Sequence, residues 1–184
     1  MYGLVNRAVK DLITENFGSA KWQEVANSAG VEEEFISMES YDDEVTYHLV
    51  GAASELLEIP AAELLRQFGN YWIRFTADEG YGHILSLFGD TLDEFLARLG
   101  NDLHGRVAVT MPELKPPQFR TEKIAQHTYL VEYKSHRKGL MPMVQGLLEG
   151  LAIRFGESAN ITHKRSDQEG SMIIETFEVE IVHH

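Results

Sequence analysis

The sequence predicts an α+β fold: a helical N-terminal lobe, then a smaller lobe with an antiparallel sheet and one helix. Three observations predict it. Apolar residues recur at helical period through the first hundred residues. Lys115-Pro116-Pro117 then interrupts the chain with a stiff linker. Beyond it, strand-like segments at 128–135, 159–165 and 171–182 surround one helical stretch, Leu140 to Phe155.

The elements follow in order. Leu4, Val5, Ala8, Val9, Leu12 and Ile13 form the apolar face of a first helix. Ser19 is placed to cap a short helix containing Trp22, Val25 and Ala26, with Gly30 just past its end. Asp42 or Asp43 starts a third helix through Leu49, Val50, Ala53 and Leu56. Pro60 suits a helix start, and the helix after it carries Leu64, Leu65, Phe68, Trp72 and Phe75. A glycine-punctuated segment, Gly80 to Gly89, follows, and Thr91 opens a helix through Phe95, Leu96 and Leu99. A further short helix is expected over Asn101 to Val107, ended by Met111-Pro112. In the second lobe, Met143, Leu147, Leu148 and Leu151 share one side of the 140–155 helix. Asp167 to Gly170 is the expected turn of a closing hairpin.

Composition narrows the function. The chain has 184 residues, with 16 basic and 29 acidic side chains and a net charge of −13. That sign argues against nucleic acid and against anionic membrane surfaces. No apolar run is long enough to span a membrane, and the first residues read as an amphipathic helix, not a leader. There is no cysteine, so disulfides, thiolate metal ligands and thiol nucleophiles are excluded. The expected location is the cytoplasm. No phosphate-binding loop, nucleotide-cyclase motif or kinase motif is present, so no enzymatic activity is expected.

Tyr133-Lys134-Ser135-His136-Arg137 is the most informative segment. Side chains alternate faces along an extended chain, so Tyr133, Ser135 and Arg137 share one. A phenol, a hydroxyl and a guanidinium in a row are all donors, suited to carboxylates or phosphates. The same alternation also describes a solvated strand face. With the chain so acidic, an anionic ligand needs a local basic cluster, and Lys134, Arg137 and Lys138 offer one.

The chain resembles the H-NOX family, the haem-nitric oxide/oxygen binding domains, over nearly its whole length. Met1-Tyr2-Gly3-Leu4-Val5-Asn6 is similar to the start of cyanobacterial members and of the haem domain of the soluble guanylate cyclase beta subunit. Tyr47 to Ser54 resembles the next block, and Asp102-Leu103-His104 the segment holding the proximal histidine. Pro116-Pro117 resembles the family's proline pair, and Tyr133-x-Ser135-x-Arg137 its Tyr-x-Ser-x-Arg motif. Their order and spacing along one chain carry the resemblance.

The resemblance implies one haem-binding domain over 1–184, with residues 1–60 as a distal helical lobe and 61–184 as a proximal lobe. Haem b would lie between them. His104 would be the protein ligand to a five-coordinate ferrous iron. Seven other histidines compete with it, and only its place before the prolines and the motif strand selects it. Tyr133, Ser135 and Arg137 would hold the propionates. Pro117 would press on the porphyrin as well as stiffen the linker.

On the distal side, oxygen-binding members place a tyrosine in the helix after the motif strand. Counting back from Gly146-Leu147-Leu148-Glu149-Gly150 puts Met143 there, a residue without an O–H donor. Val5 and Trp72 would join the distal wall; Trp72 is either a donor or a packing residue on the Leu64, Phe68, Trp72 stripe. The expected function is NO and CO sensing with O₂ largely excluded, signalled by release of the iron–histidine bond. Gly100 and Gly105 would lend that segment hinge freedom. The expected partner is a separate protein: a histidine kinase, a cyclic-di-GMP enzyme or a guanylate cyclase. The alternative is a haem-free module of the same fold that binds another anion or a protein. A haem enzyme such as a peroxidase would need distal acid–base groups that the Met143 and Trp72 neighbourhood lacks.

Overall fold

The computed structural model describes residues 1–99 and 116–182. His104, Gly100 and Gly105, and the helix expected over Asn101 to Val107, lie outside them. The chain divides into two compact units, Met1–Phe68 and Gly69–His184.

The first unit is helical. Helix α1 (Gly3–Phe17) buries Leu4, Ala8, Val9 and Ile13, the apolar stripe read from the sequence. Gly3 fits there because a Cβ would lie 2.8 Å from the Ile36 carbonyl carbon and 2.9 Å from the Tyr41 ring. Helix α2 (Ser19–Ala29) begins one residue earlier than expected. Gly18 is its N-cap, at φ 86° where a side chain is strained, and Ser19 is the first helical residue. Gly30 ends the helix in the left-handed region at φ 67°. Helix α3 (Asp43–Leu57) is capped by Asp42, whose carboxylate accepts from the Glu44 N–H at 3.1 Å. Trp22 and Phe35 meet edge to face at 6.4 Å, and Phe35 and Tyr41 at 5.3 Å. Inside the unit, Thr46 Oγ1 donates to Asn6 Oδ1 at 2.6 Å, and both residues are buried.

Helix α4 (Ala61–Thr76) starts after Pro60, whose carbonyl accepts from Glu63 and Leu64. The glycine-punctuated segment is not a break. The helix widens into a π-turn at Ala77–Tyr81 and continues as α5 (Gly82–Ser86) before Gly89 turns the chain at φ 141°. Thr91 caps α6 (Leu92–Leu99), its Oγ1 accepting from Glu94 N–H at 3.2 Å.

Four strands form one antiparallel sheet in the order β1-β2-β4-β3: β1 (Gln118–Ala125), β2 (Thr128–Ser135), β3 (Ser158–Glu169) and β4 (Met172–Val182). Strand β1 was not anticipated. It is an edge strand carrying Arg120, Glu122 and Lys123, so its alternation is weak, and such charges protect an open edge. The closing hairpin also turns later than expected. Asp167, Gln168 and Glu169 stay paired with Ile174, Ile173 and Met172, leaving only Gly170 and Ser171 to turn. Gly170 supplies the left-handed φ of 62° such a tight turn needs.

Helix α7 (Met141–Arg154) covers one face of the sheet together with α6. Val131, Phe177 and Val179 from the sheet pack with Phe95, Leu96 and Leu148 from the helices. Among the described residues, no helix is long and apolar enough to cross a membrane.

Candidate functional site

Alternation along β2 sorts its residues cleanly. Tyr129, Val131, Tyr133 and Ser135 are buried on the helix-covered face, and their even-numbered neighbours are partly exposed. Tyr133 is 6 % exposed and Ser135 1 %, so the two donors are in the interior, not on a solvated face. Phe119, on the unanticipated strand β1, meets Tyr133 edge to face at 5.3 Å. Arg137 lies two residues beyond the end of β2, so strict alternation does not reach it. It is tied back locally: its backbone N–H donates to Ser135 Oγ at 3.2 Å. The Arg137 backbone therefore lies next to the serine.

The expected basic cluster divides. Lys134 points from the opposite face of β2 and pairs with Glu169 at 2.5 Å. That ammonium holds the Glu169 carboxyl below its ordinary value through a direct hydrogen bond. Lys138 is exposed. Arg137 is partly buried and its backbone is tied to Ser135.

A buried carboxylate that sequence reasoning passed over stands beside this row. Glu175, 7 % exposed, is the cross-strand partner of Tyr133 in the β2–β4 ladder and so shares its face. Its Oε2 lies 2.8 Å from His163 Nε2 and accepts from Ser166 Oγ. The signal was in the sequence: Ile173, Glu175, Phe177, Val179 and Ile181 alternate as an apolar stripe with one acid in it.

The other expected residues fall on separate elements. Trp72 is partly buried, stacks on Phe75 at 5.9 Å and packs against the core of the second unit. Met143 is partly buried in the first turn of α7. Pro117 is partly buried immediately before β1. Val5 is partly buried on α1 in the first unit. Among the described residues no group of histidines and acids is arranged to hold a bare metal ion.

The second unit does fit a ligand bearing carboxylates, such as haem with its propionates. Ser135 Oγ accepts the Arg137 amide, and among the described residues its hydroxyl proton has no acceptor. A buried donor without an acceptor suits an incoming carboxylate, since leaving it unmade costs about 1–3 kcal/mol. Tyr133 adds a second donor on the same strand face. Glu175 works against this, and its contacts with His163 and Ser166 offset part of its charge.

A family model described as haem-NO-binding matches residues 2–163. The soluble guanylate cyclase gcy-31 of Caenorhabditis elegans is 29% identical over 153 residues, 83% of this chain and 22% of that protein. The guanylate cyclase soluble subunit beta-2 of Rattus norvegicus is 36% identical over 92 residues, 50% of this chain and 13% of that protein. The chain thus spans about a fifth or less of the curated relatives it matches. Among solved structures, an H-NOX protein from S. oneidensis superposes with a TM-score of 0.88 at 18% identity, covering 100% of this chain and 97% of that one. An oxygen-binding H-NOX domain related to soluble guanylate cyclases superposes with a TM-score of 0.84 at 19% identity, covering 98% and 95%. At these identities the superpositions speak for the fold.

Proposed function

The chain belongs to the haem-NO-binding family, and on that premise we propose that it is a gas sensor that binds NO and CO at haem b and largely excludes O₂. The observation that carries this reading is the burial of Tyr133 and Ser135 side by side on the covered face of β2, with Arg137 tied to Ser135. When bound, haem would supply a ferrous iron able to take a diatomic ligand.

The chain's own residues hold and shape that site. Tyr133 and Ser135 donate from neutral hydroxyls to propionate oxygens, and Arg137 adds a donor that is itself charged. His104 is the proposed iron ligand, and Pro117 the proposed contact with the porphyrin. Met143, Val5 and Trp72 are the proposed distal wall. Met143 cannot donate a hydrogen bond, so polar O₂ gains no partner from it, whereas NO needs none.

His104 is also the proposed output: with NO bound, release of its imidazole would let its segment move. The receiver is proposed to be a separate or attached signalling protein in the cytoplasm, a guanylate cyclase, a histidine kinase or a cyclic-di-GMP enzyme. The soluble guanylate cyclase relatives support the first of these. The chain itself senses and does not catalyse.

The test is spectroscopic. Purified protein reconstituted with haem is expected to show a Soret band, shift on adding NO or CO to the reduced form, and form no stable oxygen complex in air. A stable oxygen complex overturns the selectivity. Absence of haem uptake overturns the whole reading in favour of a haem-free anion-binding or protein-interaction module.

A further inference from the structure

We propose that Gly69 is a positioning residue for the gas-binding side. Its missing side chain sets how closely the helix carrying Trp72 lies against the helix carrying Met143, and hence the room left for the ligand. The inference rests on the assignment of Met143 and Trp72 to the distal wall.

A Cβ built on Gly69 would overlap the carbonyl oxygen of Met143. It would also stand 2.8 Å from the backbone N of Leu147 and 3.0 Å from the Met143 carbonyl carbon. Met143 and Leu147 are four residues apart, so that oxygen and that nitrogen are positioned as the partners of one helical hydrogen bond. Gly69 therefore lies directly against the first turn of α7. Backbone atoms locked in a helical bond cannot rotate aside as the tip of a side chain does.

A second glycine presses from the other helix. A Cβ on Gly150 would stand 2.9 Å from the Asn70 carbonyl oxygen and 3.1 Å from the Ile73 side chain. Helices α4 and α7 thus meet backbone to backbone at two glycine contacts. Glycine is disfavoured in a helix interior, so this close approach is what gives it a use there. Trp72 follows Gly69 by three residues and lies on the same side of α4. Any methyl at Gly69 must therefore separate Met143 from the Trp72 helix.

The experiment uses CO as the probe on reduced, haem-loaded protein. Gly69→Ala is expected to shift the C–O stretching band and change the CO dissociation rate by about tenfold, the effect of about 1.4 kcal/mol. The ferrous spectrum without ligand should stay as in the wild type. Gly150→Ala, the milder wedge, is expected to shift both quantities in the same direction by less. A haem-loaded Gly69→Ala protein with a lowered melting temperature but wild-type band and rate overturns the proposal, because the glycine is then merely structural. If Gly69→Ala does not hold haem, Gly150→Ala decides: an unchanged band and rate overturn the proposal. Failure of the wild type to take up haem would instead implicate the underlying reading of the site.

Discussion

Glu175 faces Tyr133 directly across the β2–β4 ladder, on the covered side of the sheet, and is held there by His163 and Ser166. A buried carboxylate thus adjoins the row proposed to grip two more carboxylates. Glu175→Gln removes the charge and keeps an acceptor, so haem retention through purification should exceed that of wild type. Glu175→Ala strips His163 and Ser166 of their partner and should cost about 1–3 kcal/mol in denaturant unfolding. Weaker haem retention in Glu175→Gln would show that the charge assists the site.

Arg137 and Ser135 should be unequal and coupled. Arg137 would bring a positive charge and two parallel donors to a propionate, whereas Ser135 would bring one neutral hydroxyl. Arg137→Ala should therefore lower the haem-to-protein ratio more than Ser135→Ala. Because Ser135 Oγ also accepts the Arg137 amide, the double variant should lose less than the sum of the singles. Equal occupancy in the two single variants would sink the ranking.

His104 is tested by cavity rescue. His104→Gly should need added imidazole to restore a stable ferrous haem spectrum. Full ligation without imidazole would assign the iron to another residue.

The start of α6 carries an acid-sensitive clamp. Asp93 pairs with Lys123 at 3.0 Å and His127 at 3.5 Å, and the Tyr129 hydroxyl donates to its carbonyl at 3.1 Å. Burial pushes the Asp93 carboxyl up, but the Lys123 and Tyr129 hydrogen bonds and the Lys123 and His127 charges outweigh it and hold it below 3.8. A depressed carboxyl adds stability above its unfolded pKa and loses it as pH falls through the folded one. Bonding to Asp93 raises Lys123 above 10.5, so its share is present below that value and lost as pH rises through the folded one. In Asp93→Asn, melting temperature should fall less steeply with acidification below the ordinary carboxyl value. Equal acid slopes in the two proteins would exclude the clamp.

In the first unit, Thr46→Val leaves the buried Asn6 amide oxygen without its 2.6 Å donor. The expected loss is about 1–3 kcal/mol by chemical denaturation. A loss of under about 0.5 kcal/mol, ordinary for a surface change, would mean that another donor replaces the threonine.

Much of this was legible from residue order. Helical period found α1 to α4, α6 and α7, because amphipathic spacing is a local property of the chain. Strand β1 was missed because a charged edge strand buries too little to write a clear alternation. The π-turn at Ala77–Tyr81 was read only as a run of glycines. Lys134 looked like part of a basic cluster until alternation on the folded strand turned it toward Glu169.

The sequence by itself determined the family, the α+β class and the placing of Tyr133 and Ser135 on one strand face. Motif order and period-two geometry are properties of a single segment. Only the tertiary structure decided that this face is the buried one, that Glu175 stands beside Tyr133, and that Gly69 lies against Met143. Those relations join segments far apart in the chain, and they depend on strand register and helix packing, which no local spacing encodes.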